Sequence, residues 1–174
     1  IEIIKKNKKY VIIAGDGVVE ILLNKKIKWD IVGSDLDGNP KYIRMADKFG
    51  AIMVIHAHGD NMENLEKHVP KFSKVIGTTQ VMPTENVYNF GGFTDGDRSV
   101  FLAEEMRAKS ITLIGMDFDN MPRKFSTNDR DVDIDIKRKK LKFAKKLLEM
   151  LGKQSKSKLV NKSATRIRGI KSQP

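Results

Sequence analysis

Short β-branched runs alternate with amphipathic stretches along this chain. Tyr10-Val-Ile-Ile-Ala14, Trp29-Asp-Ile-Val32, Ala51-Ile-Met-Val-Ile55, Val75-Ile-Gly77 and Ile111-Thr-Leu-Ile-Gly115 are brief, apolar and bounded by turn residues. That pattern predicts five buried strands. Helices are predicted between them. Val18–Lys26 is the first. The second is opened by Pro40, turns Ile43, Met45, Ala46 and Phe49 inward, and stops at Gly50. Met62, Leu65 and Val69 mark another, which Asp60 or Asn61 can cap, and Val100, Leu102, Ala103 and Met106 a fourth. Ile136–Leu151 is the longest, with Leu141, Ala144, Leu147, Leu148 and Leu151 on one stripe and Gly152 at its end. Ile1–Lys9 reads as the end of an amphipathic helix, and Asn128–Asp135 as an acidic linker. Leu159-Val-Asn161 and Arg166–Ile170 are expected as an edge strand or an ordered tail. Such alternation predicts an α/β fold with a mostly parallel sheet. One long loop interrupts it, from Thr79 to about Asp95, and it carries Tyr88, Phe90 and Phe93. Long loops in compact domains are commonly functional, and this one could wall a flat ligand.

Length and charge narrow the organisation. The 174 residues suffice for one domain with a real core. The division expected is an α/β body over 1–152 and a basic tail over 153–174. The net charge of +11 resembles that of a nucleic-acid binder, yet residues 137–174 hold 14 of the 33 Lys+Arg and one of the 22 Asp+Glu. Residues 1–136 then carry a net −2. The basic excess belongs to the last helix and the tail, and a chain ending at Gly152 is expected to fold and keep part of its activity. No run approaches a membrane span, and the chain contains no cysteine. Both fit a cytoplasmic protein without disulfides or thiolate metal sites.

The chemistry concentrates at strand ends. Asp16 follows the first strand, Asp35 and Asp37 the second, Asp60 the third, and Asp117 and Asp119 the fifth. In a parallel sheet these ends share the edge where ligands bind. Asp35 and Asp37, one residue apart on an extended segment, would face the same way. Gathered carboxylates repel and raise one another's pKa unless a cation joins them, and a divalent metal is the economical answer. The alternative for Asp35-x-Asp37 alone is an incidental acidic turn. Gly15-Asp16-Gly17, between a strand and a helix, is either a phosphate-binding turn or a plain tight turn. His56 and His58 read as hydrogen-bond partners of a neighbouring loop rather than metal ligands. No P-loop and no nucleophile elbow occurs.

Gly15-Asp16-Gly17, Gly33-Ser34-Asp35-Leu36-Asp37-Gly38 and Gly59-Asp60-Asn61-Met62-Glu63-Asn64-Leu65 resemble, in order and spacing, the acidic blocks of thiamine pyrophosphokinase. His56-Ala-His-Gly-Asp-Asn61, Asn89-Phe-Gly-Gly-Phe-Thr-Asp-Gly-Asp-Arg98 and Gly115-Met-Asp-Phe118 are closer to its relative, the archaeal 6-hydroxymethyl-7,8-dihydropterin pyrophosphokinase family. The similarity runs from about Tyr10 to Phe118. It implies a three-layer α/β/α Rossmann-like fold, and magnesium-dependent transfer of diphosphate from ATP to a pterin hydroxymethyl group with release of AMP. Asp35, Asp37 and Asp60 would match the family's metal-binding acids. Asp16, with Gly17, and Arg98 would match nucleotide or phosphate contacts, as would Gly115 and Asp117. Phe90 or Phe93 would stack on the pterin, beside Gly91 and Gly92, and Asn89, Asp95 or Asp97 would meet its amino-pyrimidine edge. The resemblance also implies a helical part and a glycine-rich strand end ahead of the position of Ile1. The chain is therefore expected to be a fragment or to lack part of the ATP site.

Thiamine as acceptor and a metal-dependent nucleotide-sugar glycosyltransferase are the enzyme alternatives. An RNA- or partner-binding protein acting through the basic tail is the alternative of another class, with nucleic acid the weaker expectation. Assembly into a homo-oligomer stays open.

Overall fold

The fold is described from a computed structural model, over Ile4, residues 9–119 and residues 133–173. Most of the expected Ile1–Lys9 helix and of the acidic linker lies outside the described residues. The chain divides into two compact units, Ile1–Asn89 and Phe90–Pro174, where a 1–152 body and a 153–174 tail are expected.

The first unit is a five-stranded sheet in the order β1 (Ile13–Gly15), β2 (Ile31–Ser34), β3 (Ile52–Ala57), β4 (Val75–Thr79) and β5 (Val87–Tyr88). Every neighbouring pair is parallel, with Val32 opposite Met53 and Ile55 opposite Gly77. Parallel strands need crossovers, and helices supply the first three: α1 (Asp16–Asn24), α2 (Pro40–Lys48) and α3 (Met62–His68). α2 begins where the sequence signals it. Asn39 Oδ1 accepts from Lys41 N at 3.0 Å, and Pro40 occupies the first turn, where no amide donor is needed. Val19 and Leu22 of α1 and Ile43 and Ala46 of α2 are buried with Ala14, Val32, Met53 and Ile55 of the strands. This parallel, helix-interleaved sheet is that of the expected Rossmann-like α/β/α class. Its fifth strand is β5, inside the segment expected to be wholly loop, and not the Ile111–Gly115 strand.

The second unit holds a sheet in the order β6 (Ser110–Leu113), β7 (Lys158–Asn161), β8 (Lys171–Ser172), again parallel throughout. α4 (Asp95–Glu105) and α5 (Ile134–Gln154) accompany it. α5 starts at Asp133, whose carboxylate accepts from Asp135 N and Ile136 N, and buries Ala144, Leu148 and Leu151. They pack with Ile111, Leu113, Phe118, Leu159, Ile167 and Ile170. The segment expected as an edge strand or tail therefore supplies the middle strand of this sheet and part of its core. The expected dispensability of residues 153–174 therefore has this packing against it.

No described helix is long and apolar enough to cross a membrane.

Candidate active site

β2 ends at Ser34, and the chain then turns sharply. Leu36 adopts φ +65°, a left-handed conformation that costs a β-carbon-bearing residue roughly 1–2 kcal/mol. Its side chain is buried in the first core, which returns roughly 1.5–3 kcal/mol. Two hydrogen bonds hold the same residue: Leu36 N donates to Ser34 Oγ at 2.9 Å, and Asn64 Nδ2 donates to Leu36 O at 3.3 Å. Asp37 N donates to Asp35 Oδ1 at 3.1 Å and closes the turn. Asp35 and Asp37 thus converge through a left-handed turn pinned from both sides, and not through the extended alternation expected from the sequence.

Asp16 joins them. It opens α1, directly after β1, and its Oδ2 accepts from Ser34 Oγ at 2.6 Å. Carboxylate oxygens of Asp16, Asp35 and Asp37 all lie within 4.8 Å of one another. Burial pushes the Asp16 carboxyl above its ordinary range and the charge of Asp35 adds to the rise, against hydrogen bonds from Ser34 and from the backbone of Gly17 and Gly38. Burial also opposes ionisation of Asp35, but hydrogen bonds from Asp37 and the neighbouring His58 outweigh it and hold that carboxyl below its ordinary range. Burial and hydrogen bonding thus push the two neighbouring carboxyls in opposite directions.

Asp60 stands apart from this trio. Its carboxylate, 80% exposed, meets His58 Nδ1, and His58 Nε2 reaches Asp35 Oδ2 at 3.4 Å. Of the three acids expected to hold metal, Asp35 and Asp37 lie close together with Asp16, and Asp60 is placed behind His58. His56 is buried, 3.4 Å from Thr78 Oγ1 across the β3–β4 pair.

Asn61, a cap candidate by sequence, does take the N-cap position of α3, but its side chain makes no cap bond. Its Nδ2 donates to Asp35 O and to His56 O, each at 2.7 Å, and its Oδ1 accepts from His58 N at 3.3 Å. One buried carboxamide ties the turn after β2 to the end of β3. The sequence gives neither this role of Asn61 nor that of Ser34. The available signal is a polar residue beside an acidic strand end, and its burial is visible only in the fold.

Gly38 leaves room for Asp16. A β-carbon on Gly38 would stand 2.5 Å from Asp16 Oδ2 and 2.8 Å from its Cγ. Gly38→Ala should therefore displace the Asp16 carboxylate and lower turnover on the order of a hundredfold, the scale of a misplacement near 1 Å. Steady-state kinetics on a folded variant checks this; turnover within a few-fold of the parent would contradict the assigned role of Asp16.

The remaining expected residues fall in the second unit or at its boundary. Asn89 Nδ2 donates to Val81 O at 3.1 Å. Phe90 is half-buried, and the Phe93 ring packs edge-on against Phe143 with centroids 5.0 Å apart. Gly91 and Gly92, both at positive φ, lie against the Phe101 ring and the Arg98 backbone, where a β-carbon would approach within 2.7 and 2.6 Å. Arg98 Nε donates to Phe93 O at 3.4 Å, and Asp95 O accepts from Ser99 Oγ at 2.7 Å. Asp97 is fully buried and accepts from Phe93 N, Thr94 N and Thr94 Oγ1 in the capping box of α4. Asp97, expected on the substrate edge, thus sits in the helix cap.

Gly115, at φ +76°, follows β6. Asp117 Oδ1 accepts from Ala164 N at 3.0 Å, and Asp119 pairs with Lys145 at 2.9 Å. Met116 N donates to Ser163 Oγ and Asp119 N to Thr165 Oγ1. The loops after β6 and β7 are thus zipped together, and the acids of the Asp117 block belong to the second sheet rather than to the row expected on the first.

Asp97→Ala should lower unfolding free energy by about 2 kcal/mol, since a cap is lost and buried donors lose their acceptor. Burial also raises the Asp97 carboxyl above its ordinary range, against the hydrogen bonds it accepts. Between the ordinary and raised values the folded state keeps a proton that the unfolded chain has released, so this group's contribution falls as pH rises through that window. Relative to Asp97→Asn, the parent protein should lose stability as pH rises there. Denaturant melts at several weakly acidic pH values measure both effects, and a pH-independent difference contradicts the second.

Fold and site together define an α/β protein with a carboxylate trio at the carboxyl ends of parallel strands, an oxygen-donor set that could hold a divalent cation. The family described as 6-hydroxymethylpterin diphosphokinase MptE-like matches residues 1–122, and the chain belongs to that family. Three curated relatives are each named 6-hydroxymethyl-7,8-dihydropterin pyrophosphokinase. The protein of Pyrococcus furiosus is 48% identical over 151 residues, covering 85% of this chain and 64% of its own length. That of Methanocaldococcus jannaschii is 44% identical over 154 residues, covering 83% and 64%. That of Methanothermobacter thermautotrophicus is 42% identical over 144 residues, covering 80% and 62%. The chain thus spans under two thirds of the length of these relatives.

Proposed function

We propose that this chain transfers diphosphate from ATP to the hydroxymethyl group of 6-hydroxymethyl-7,8-dihydropterin and releases AMP. The observation that carries the reading is the convergence of Asp16, Asp35 and Asp37, in a chain that belongs to a diphosphokinase family. Three carboxylates on two adjacent strand ends are the hard oxygen donors that magnesium takes, so the residues present fit that ion. When bound, magnesium neutralises charge on phosphate oxygens and orients them.

The chain's own residues do the rest. The turn at Leu36 presents Asp35 and Asp37 on a fixed backbone, and Asn61 holds that turn against β3. Ser34 aims Asp16 at the same point. His58, braced by Asp60, fixes one oxygen of Asp35. Diphosphoryl transfer depends chiefly on alignment and charge stabilisation, so a strong general base is not required of His58. Phe90 and Phe93 are the ring candidates for the acceptor, Phe93 with its edge contact to Phe143. Of the residues expected at its polar edge, Asn89 and Asp95 remain once Asp97 is assigned to the helix cap.

The fate of ATP tests this reading. Incubation with magnesium and 6-hydroxymethyl-7,8-dihydropterin should give AMP and pterin diphosphate in equal amounts, and thiamine should give neither product. Formation of ADP, or of AMP with thiamine alone, would overturn it.

A further inference from the structure

We propose that Ser34 is the positioning residue of the carboxylate trio: its single hydroxyl sets both the orientation of Asp16 and the turn that carries Asp35 and Asp37. The inference rests on the reading of the trio as a divalent-metal site.

Ser34 is the last residue of β2 and is 1% exposed. A hydroxyl has one hydrogen to give and lone pairs to accept, and here both functions are used. The hydrogen goes to Asp16 Oδ2 at 2.6 Å, across 18 residues of chain. The oxygen accepts from Leu36 N at 2.9 Å, at the residue between the two acids that is held in the left-handed region. Asp16 sits at the start of α1, and Asp35 and Asp37 follow β2, so their oxygens can be brought within 4.8 Å only if helix start and turn are held in register. Ser34 holds them from beneath. Gly38 also packs against the Asp16 carboxyl, where a β-carbon would not fit.

The bond to Ser34 fixes one Asp16 oxygen through its donated proton. Ligand carboxylates are commonly oriented by such outer partners, and losing one typically lowers metal affinity 10–100-fold. An alanine at position 34 removes both hydrogen bonds while barely changing volume. Threonine keeps the hydroxyl and suits a strand. Cysteine keeps the volume but donates weakly.

The test uses Mn2+ alone, without nucleotide, titrated into the whole protein and followed by electron paramagnetic resonance. Ser34→Ala should bind Mn2+ roughly 10–100-fold more weakly than the parent, and Ser34→Thr within a few-fold of it. Asp37→Asn serves as the reference for a lost ligand. If Ser34→Ala keeps parental affinity while Asp37→Asn loses it, the metal site stands and the role of Ser34 is overturned. If the parent binds no better than Asp37→Asn, the metal reading falls and this inference with it. A lower melting temperature in Ser34→Ala with unchanged Mn2+ affinity marks a merely structural serine and also overturns the proposal. Should Ser34→Ala fail to fold, Ser34→Cys carries the comparison: weakened binding supports the role, and parental binding overturns it.

Discussion

Asp37→Asn is expected to lower turnover a hundredfold or more, on the order of 3 kcal/mol of lost electrostatic stabilisation in the transition state. The substitution keeps the size of the side chain and most of its hydrogen bonding but removes one of three gathered charges. In the metal-free protein that removal relieves repulsion, so the melting temperature should stay level or rise. An incidental acidic turn makes the opposite pair of forecasts: a lower melting temperature with nearly intact turnover. Kinetics and thermal melts on Asp35→Asn and Asp37→Asn, taken together, separate the two. Turnover within a few-fold of the parent in both variants removes the trio from the chemistry.

The second large effect concerns the carboxyl-terminal segment. A chain cut after Gly152 is expected to lose the cooperative fold of the second unit. The cut removes β7, the middle strand of its sheet, together with β8, and leaves β6 without the strand it pairs with. It also removes Leu159, Val160, Ile167 and Ile170, all buried. At roughly 1.5–3 kcal/mol for each buried side chain, their loss is of the same order as the ~5–15 kcal/mol that separates folded from unfolded domains. Gly152 itself packs against the Gly169 backbone, so the cut also strips the end of α5 of its neighbour. Near-ultraviolet circular dichroism and limited proteolysis report the outcome. A truncated chain that melts cooperatively with a protected 90–152 region would show that these strands are dispensable.

The sequence is most legible where local chemistry acts alone. The apolar runs form β1 to β4 and β6, and Pro40 with Asn39 opens a helix as such residues do. The strand-end acids point to a site, and three of them meet there. What the sequence hides depends on pairing between distant segments. β6 has the same apolar signature as the strands before it, and nothing local says that it pairs with β7 instead of β4. The charge of residues 137–174 reads as a solvated tail because basic residues flank Leu159, Val160, Ile167 and Ile170, and flanking charge does not reveal that a side chain is buried. Asp97 resembles Asp95, two residues away, yet Asp97 is fully buried in the helix cap while Asp95 keeps part of its surface in solvent. The Leu36 turn is hidden for a similar reason. A left-handed leucine is disfavoured locally, and only its burial and its two hydrogen-bond partners make it the stable choice.

The central claim is that carboxylate-bound magnesium joins ATP to this site. Isothermal calorimetry of ATP with the parent protein, in excess magnesium and again in excess EDTA, tests it most directly. Binding should be readily measured with magnesium and weakened at least tenfold in EDTA, since uncompensated carboxylates repel the triphosphate. Equal affinity in the two titrations would contradict the claim.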